Sequence, residues 1–300
     1  MGLHLSRSTH RRWLLPALVI GVVVATGVWL RSLPASGVGP VAAWWTGSAR
    51  ETQTVYFYDG PLLVPVSRRL DARSDAPRAA LEALLSGPPA DTGLHTAIPL
   101  DVDVRSLTVS NGTATVDLTS AFLGASDAGA ANAVVVQTLA TVPGVRDVEI
   151  LVEGRPHLSR TRRTPLAYYA SLRGLAAEPL GAASPREAVD RYLQGPVSAD
   201  LVGLPRDVTL LGIDVDAGEG LVSLRLRYTP AVRTLAIERP DTMRTVLLGL
   251  VATLTELPGV RWVRLDFEGH SQLGLGQCSD LLRTRQGRPR LLNDERLLRH

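Results

Sequence analysis

Two aspartates lie at matching places in this chain, and paired carboxylates are one arrangement that can perform acid–base catalysis. Asp101 and Asp207 each follow a turn that carries Leu or Ile beside a proline. The alternative is that each is a turn residue at the entry to a strand, since Asp side chains readily bond to nearby backbone in turns. The two aspartates lie in different parts of the chain, which favours the turn interpretation.

The other residue types that perform chemistry are scattered or missing. Six histidines are spread along the chain: His4, His10, His95, His157, His270 and His300. A metal site would need His95, His157 and His270 to converge over long sequence separations, so we expect none. The single cysteine, Cys278, excludes an intramolecular disulfide and a cysteine zinc cluster. No phosphate-binding loop, zinc-protease motif or nucleophile elbow is present. The sequence therefore predicts no catalytic residue, no metal and no cofactor.

Two sets of side chains are candidates for binding. Arg146 and Arg261 each follow a Pro-Gly-Val sequence, and a guanidinium there could pair with a partner's carboxylate or with an anionic polymer. The alternative is a solvated arginine at the start of a strand. Five aromatic side chains could form a binding surface or could belong to the core: Tyr56, Phe57, Tyr58, Tyr168 and Tyr169. The core interpretation is favoured because strand aromatics are commonly buried. The sequence leaves the binding residues unknown.

A repeat indicates which elements must position these residues. Residues 137–151 read QTLATVPGVRDVEIL, and residues 252–266 read ATLTELPGVRWVRLD. Each copy runs from the end of an apolar-periodic segment through Pro-Gly-Val-Arg into a short alternating segment. The chain is therefore predicted to hold two similar modules in tandem.

Each module is predicted to follow the order β-α-β-β-α-β. The first has a strand at 54–58, a loop through Asp71, a helix starting at Pro77, a hairpin of 102–109 and 113–118 turned by Asn111-Gly112, a helix ending before Pro143, and a strand at 145–152. The second has a strand at 166–171, a helix capped by Ser184, a hairpin of 208–215 and 221–227, and a helix stripe from Met243 to Leu257. We predict an α+β fold of two tandem two-layer sandwiches, each with two helices on one face of a small sheet.

Composition and charge divide the rest of the chain. The predicted divisions are a basic stub at 1–12, an anchor at 13–30, a linker at 31–53, module one at 54–156, module two at 164–269 and a loosely ordered basic tail at 270–300. The formal net charge of +3 arises from arginines at the two ends, which leaves the body slightly acidic. A nucleic-acid-binding domain is therefore disfavoured.

Residues 13–30 form an uncharged, mostly apolar run of 18 residues. As a helix this run spans about 27 Å, enough to cross a hydrocarbon core. The heavier positive charge precedes it, which predicts a single-pass cell-membrane protein with a cytoplasmic N-terminus and an extracytoplasmic body. The alternative is a cleaved signal peptide, but the best small-residue site lies near Ala42 and Ala43, far beyond the apolar run.

The motifs of both modules resemble those of the GerMN-domain family of sporulation and spore germination proteins. In module one the resemblance lies in VYFY at 55–58, LLSGP at 84–88, SNGTATVDL at 110–118 and TLATVPGVRDVEILVEG at 138–154. In module two it lies in LQGP at 193–196 and TLTELPGVRWVRLDFEG at 253–269. The second copy departs from the pattern at its hairpin, where LVSLRLRY at 221–228 replaces small and acidic residues, and a lipid-attachment cysteine is missing.

The resemblance implies a non-enzymatic envelope protein of a spore-forming bacterium. Its modules would be similar to ring-building motifs, which stack side by side, and no catalytic residue comes with the family. The implied partners are envelope or sporulation-complex proteins, including other copies of the chain, with the membrane bound through the N-terminal helix.

Two functions from different classes remain open. The first is a structural assembly component that works through protein contacts at helix faces and exposed hairpin edges. The second is a module that binds a small molecule or a cell-wall polymer in the groove between the two copies. The second function requires polar side chains to converge there: Arg155, Arg160, Arg162, Arg163, Arg233 and Arg239.

Overall fold

The computed structural model describes residues 50–71, 75–268 and 272–298. The described residues from 50 onward form one compact unit. The predicted stub and anchor, and nearly all of the linker, lie outside the described residues. Within the described ranges, no helix has both the length and the apolar character needed to cross a membrane.

The chain folds into twelve strands and six α-helices within those ranges. Module one contains β1 (Arg50–Asp59), β2 (Leu62–Asp71), α1 (Ala76–Leu85), β3 (Val104–Ser110), β4 (Thr113–Leu118), α2 (Ala128–Leu139), β5 (Asp147–Val152) and β6 (Arg155–Arg162). Module two contains β7 (Leu166–Ser171), β8 (Gly174–Pro179), α3 (Pro185–Leu193), β9 (Leu210–Asp216), β10 (Leu221–Arg227), α4 (Pro230–Glu238), α5 (Pro240–Leu254) and β11 (Trp262–Glu268). The C-terminal region adds α6 (Ser279–Arg283) and β12 (Gln286–Gly287).

These strands form three four-stranded sheets, and the predicted α+β class with two tandem modules is confirmed. Each module has its own sheet, ordered β3-β4-β5-β6 in the first and β9-β10-β11-β12 in the second. In both, the two central strands are parallel and the outer strands are antiparallel to them. A third, central sheet has the order β1-β2-β8-β7, so it takes one hairpin from each module.

The central sheet was not foreseen from the sequence. Its two hairpins meet where β2 runs antiparallel to β8, with Leu63 opposite Ala177. Residues 62–71 form strand β2 within the predicted loop that ends at Asp71, and Pro65 and two arginines interrupt the alternation expected of a strand. Strand β8 was missed because its alanines have low β propensity. Strand β6 was not predicted because its sequence is polar. Helix α4 was not predicted because it falls in the insertion that distinguishes the second copy.

Local signals placed the main helices and turns correctly. The predicted stripe of α2 is buried, including Val134, Val135 and Leu139. Helix α3 begins where Ser184 accepts a hydrogen bond from the backbone N–H of Glu187, as its sequence predicted. The Asn111-Gly112 turn has the two positive φ angles that a tight hairpin requires.

The prediction of a loosely ordered tail at 270–300 is wrong for its described residues, which pack against the rest of the fold. Within residues 272–298, several apolar side chains are buried: Leu275, Cys278, Leu281, Leu292 and Leu298. They lie in short turns and in extended chain rather than on one helix or strand. Because no single period relates these residues, their packing has no periodic signal in the sequence.

Candidate functional site

The structure explains the aspartates and histidines by local packing. Asp101 is an exposed turn residue, whereas Asp207 accepts a hydrogen bond from the Thr229 hydroxyl at 3.1 Å. His95 stacks on Tyr58 with ring centroids 5.9 Å apart. His270 lies outside the described residues. Across the described ranges, no group of three His, Cys, Asp or Glu side chains could hold a metal ion.

Arg146 and Arg261 make the same contact in the two modules. A guanidinium nitrogen of Arg146 donates to the carbonyl of Asn111 at 3.0 Å. In module two, Arg261 donates to the carbonyl of Gly218 at 3.2 Å. Each arginine therefore braces the hairpin turn of its own module.

The strand aromatics belong mainly to the core, and two of them meet between the modules. The hydroxyl oxygens of Tyr56 and Tyr168 lie 2.8 Å apart, and both side chains are fully buried. The backbone N–H of Tyr56 donates to the hydroxyl of Thr138, and that of Tyr168 donates to Thr253. Thr138 and Thr253 are equivalent in the repeat, so the two tyrosines are related by an internal two-fold pseudosymmetry.

The two threonines also show how the edges of the central sheet are covered. Thr138 lies on α2 and Thr253 lies on α5, so each helix satisfies a backbone donor on an outer strand of that sheet. Helix α5 approaches closely at Gly249, where an added Cβ would lie 2.4 Å from the carbonyl oxygen of Tyr168. The outer strands of the central sheet are therefore closed to a further strand at these positions.

A buried ionic cluster surrounds the tyrosine pair. The side chain of Glu256 is fully buried and pairs with Arg163 at 2.9 Å and with Arg288 at 2.6 Å. Tyr168 donates its hydroxyl proton to Glu256 at 2.9 Å, so Tyr56 is the donor in the tyrosine pair. Burial is the main cause that raises the pKa of both phenols. The cluster therefore holds two neutral phenols around one paired carboxylate.

The C-terminal strap, which we define as residues 286–298, contributes to this junction from three points. Strand β12 pairs antiparallel with β11, and Arg288 enters the ionic cluster. Further along, Asn293 lies between β2 and β8. Its side-chain oxygen accepts from the N–H of Leu175 at 2.8 Å, and its side-chain nitrogen donates to the carbonyls of Pro65 at 2.6 Å and Leu175 at 2.8 Å. The strap therefore binds both modules at once.

A groove of about 560 Å³ opens at the same junction. Its lining comes from both modules: Tyr58, Pro61, Leu62, Leu63, Ala133, Gln137, Thr164, Leu166, Ala177, Glu178, Pro179, Val197 and Ser198. Glu178 is the only charged residue among them, and its carboxylate oxygens accept the backbone N–H groups of Val197 at 2.9 Å and Ser198 at 2.8 Å.

The arginines that a polymer site would require do not line this groove, as far as the described residues show. Arg160 and Arg162 pair with Asp147, and Arg163 pairs with Glu256. The two arginines beside Asp147 are the main reason that the pKa of its carboxyl group is lowered. A groove between the modules was predicted, but the tyrosine pair and the strap were not, because each depends on contacts between distant parts of the chain.

These features define a tandem α+β protein whose halves are joined by a shared sheet and related by pseudosymmetry. A family model described as "Germane: Sporulation and spore germination" matches residues 54–158 and 167–273. Because the match covers both modules and most of the chain, the protein belongs to this family of sporulation and spore germination proteins.

A solved structure of two tandem domains agrees with this fold. The tandem GerMN domains of the sporulation protein GerM from Bacillus subtilis superpose with a TM-score of 0.60 at 16% sequence identity, over 82% of this chain and 99% of that one. The first GerMN domain of the same protein gives a TM-score of 0.29 at 21% identity, over 37% of this chain and 92% of that one. A search among curated proteins found no similar sequence.

Proposed function

We propose that this protein is a non-enzymatic structural component of a sporulation or spore germination apparatus, and that it acts through contacts with envelope proteins. Self-association, including assembly into a ring, is part of this proposal. The family match and the tandem fold support it. The observation that carries it is the central sheet, because a sheet shared by both modules presents two related surfaces at a set spacing, as an assembly component requires.

The surface also offers apolar groups suited to contact with a partner. Leu100 is 84% exposed, and Leu172 in a turn and Leu123 in a short 3-10 helix are also well exposed. Single exposed apolar residues are normal on a protein surface, so each position needs a direct test.

Site-specific photocrosslinking in native membranes tests the proposal. A photoreactive residue is placed at Leu100 or Leu172 of the full chain, with a matched control at Leu139, which is buried. We expect adducts of defined mass from the exposed positions, containing a second copy or an envelope protein, and none from the control. Monomer alone at both exposed positions would contradict an assembly role.

We also propose that residues 13–30 anchor the protein in the cell membrane, with the N-terminus in the cytoplasm and the body outside. Protease added to intact protoplasts should digest the body and leave a tag fused to the N-terminus intact. Digestion of the tag with protection of the body would reverse the topology. Release of a body that lacks the N-terminal segment would instead identify a cleaved signal peptide.

A further inference from the structure

The internal pseudosymmetry gives the groove a twin on the other side of the central sheet. Tyr56 corresponds to Tyr168, so Leu62 and Gly174, the first residues of β2 and β8, correspond as well. The strand pair Leu63–Ala177 then has its counterpart in Leu175 and Pro65, and the Asn293 side chain lies between these two residues. The groove lies at the first pair, and the strap occupies the second.

The twin site shows what this geometry accommodates. At the second pair, the backbone N–H of Ser67 donates to the carbonyl of Asn293 at 2.7 Å, and the N–H of Glu295 donates to the carbonyl of Ser67 at 3.3 Å. The occupant is thus a peptide segment that joins an open strand through one backbone bridge, between Ser67 and Asp294, before the chain turns. At the first pair, no described segment fills the corresponding place, and the groove is open.

One buried acceptor in the groove has no donor. Gln137 is 4% exposed, and its side-chain nitrogen donates to the carbonyl of Thr164 at 2.8 Å. A carbonyl can only accept, so this bond fixes which way the amide faces. The side-chain oxygen of Gln137 is then left buried without a partner. Buried polar atoms in folded proteins are rarely unpaired, so this oxygen marks a place for an N–H donor.

The rim carries a second sign of a missing partner. Val197 is 94% exposed although it lines an otherwise apolar groove. Glu178 holds it there through the two hydrogen bonds to the Val197–Ser198 backbone. An apolar side chain kept in solvent at the edge of an apolar groove provides surface that an occupant would cover.

Charge distinguishes the groove from its twin. In the twin, the acidic strap residue Glu295 pairs with Arg68 at 3.1 Å. The groove is lined by the carboxylate of Glu178 instead, and Asp127 lies in an adjoining basin that shares Tyr58, Pro61 and Ala133 with it. An occupant of the groove should therefore carry positive rather than negative charge at its ends.

We propose that the groove binds an extended apolar peptide segment of a partner protein, flanked by basic residues, with a backbone N–H donating to the side-chain oxygen of Gln137. This inference rests on the proposed function, since it specifies one of the contacts through which an assembly component would act.

Fluorescence anisotropy on the full chain in nanodiscs tests this with two labelled hexapeptides, Arg-Val-Leu-Val-Leu-Arg and Glu-Val-Leu-Val-Leu-Glu. The basic peptide should bind at least tenfold more tightly than the acidic peptide. N-methylation of its central backbone amides should weaken binding at least tenfold, because it removes the donors. This arm needs no protein variant.

The matching variant is Ala133→Leu, which fills the groove from α2. The equivalent position on α5 already carries Leu248, so this helix face accommodates leucine. Binding of the basic peptide should fall at least tenfold, whereas Thr108→Leu on exposed strand β3 should change it less than twofold. Equal binding of the two peptides, unchanged binding by Ala133→Leu, or no saturable binding to the unmodified chain would each overturn the inference. Photocrosslinked adducts from Leu100 or Leu172 alongside any of these results would leave the proposed function standing.

Discussion

The two modules build the same sheet with a fourth strand from different sources. In module one, β6 follows β5 directly and pairs with it through a hairpin. In module two, the chain leaves the sheet after β11, and β12 returns from the C-terminal strap to pair at Trp262 and Val263. Both solutions cover the edge of a parallel strand pair, but only the second ties that edge to a segment that also contacts module one.

The same contrast holds beneath the central sheet. Glu256 occupies the position that Thr141 holds in module one, since the two are equivalent in the repeat. Thr141 accepts a hydrogen bond from the side-chain nitrogen of Gln53, and its hydroxyl donates to the carbonyl of Thr138 at 2.7 Å. Glu256 requires two arginines, of which Arg288 comes from the strap. At this position module two therefore depends on the C-terminus, whereas module one uses Gln53 of its own strand β1.

Truncation after Arg285 should give the largest effect, because it removes β12, Arg288, Asn293 and the buried Leu292 and Leu298. Two buried leucines alone account for about 3–6 kcal/mol, so we expect a loss of about 5 kcal/mol or more. Urea unfolding followed by circular dichroism measures it. A loss under about 1 kcal/mol would show that the strap is not integral to the fold.

Glu256→Ala should rank next. It leaves Arg163 and Arg288 without their buried partner, and breaking a buried ion pair from one side costs about 3–5 kcal/mol. The matched change in module one, Thr141→Ala, removes a neutral hydrogen bond and should cost about 1 kcal/mol. Equal losses for the two variants would remove the contrast between the modules.

Asn293→Ala should have a smaller effect of about 1–3 kcal/mol, because the N–H of Leu175 and the carbonyl of Pro65 lose their partner. Gly174→Ala should also lower stability, because the new side chain would displace Asn293.

The φ of Gly174 is +105°, and an added Cβ would lie 2.3 Å from the side-chain oxygen of Asn293. Gly181→Ala is the control, since its φ is +60° but its added Cβ has no neighbour within 4 Å. If the two glycine variants lose equal stability, the contact with Asn293 contributes nothing.

The smallest effect concerns pH. The pKa of Asp147 is lowered in the folded state by Arg160 and Arg162, so its contribution to stability is present above its unfolded pKa and is lost as pH falls through the folded pKa. Trp262 occupies the equivalent position in module two and stacks with Arg285 at 4.7 Å. Asp147→Asn should therefore flatten the acid limb of the pH–stability curve. An unchanged acid limb would show that the ion pairs of Asp147 with Arg160 and Arg162 make no contribution to stability.

The features that could be predicted from the sequence are those set by residues close together in the chain. The α2 stripe, the Ser184 cap and the Asn111-Gly112 turn depend on neighbours a few residues away, and each was found. The bond between Asn293 and Leu175 spans 118 residues, and nothing local to either residue indicates it. Pro65 illustrates the same limit, since it disrupts the strand pattern locally while its carbonyl is satisfied by the distant strap.

Hydrogen–deuterium exchange at two backbone amides tests the union of the modules most directly. The N–H of Ser67 in module one and the N–H of Leu175 in module two both bond to Asn293. We predict that both are strongly protected in the full chain and that both lose protection together when the chain is truncated after Arg285. Protection of either amide that survives the truncation unchanged would contradict the role of the strap in joining the two modules.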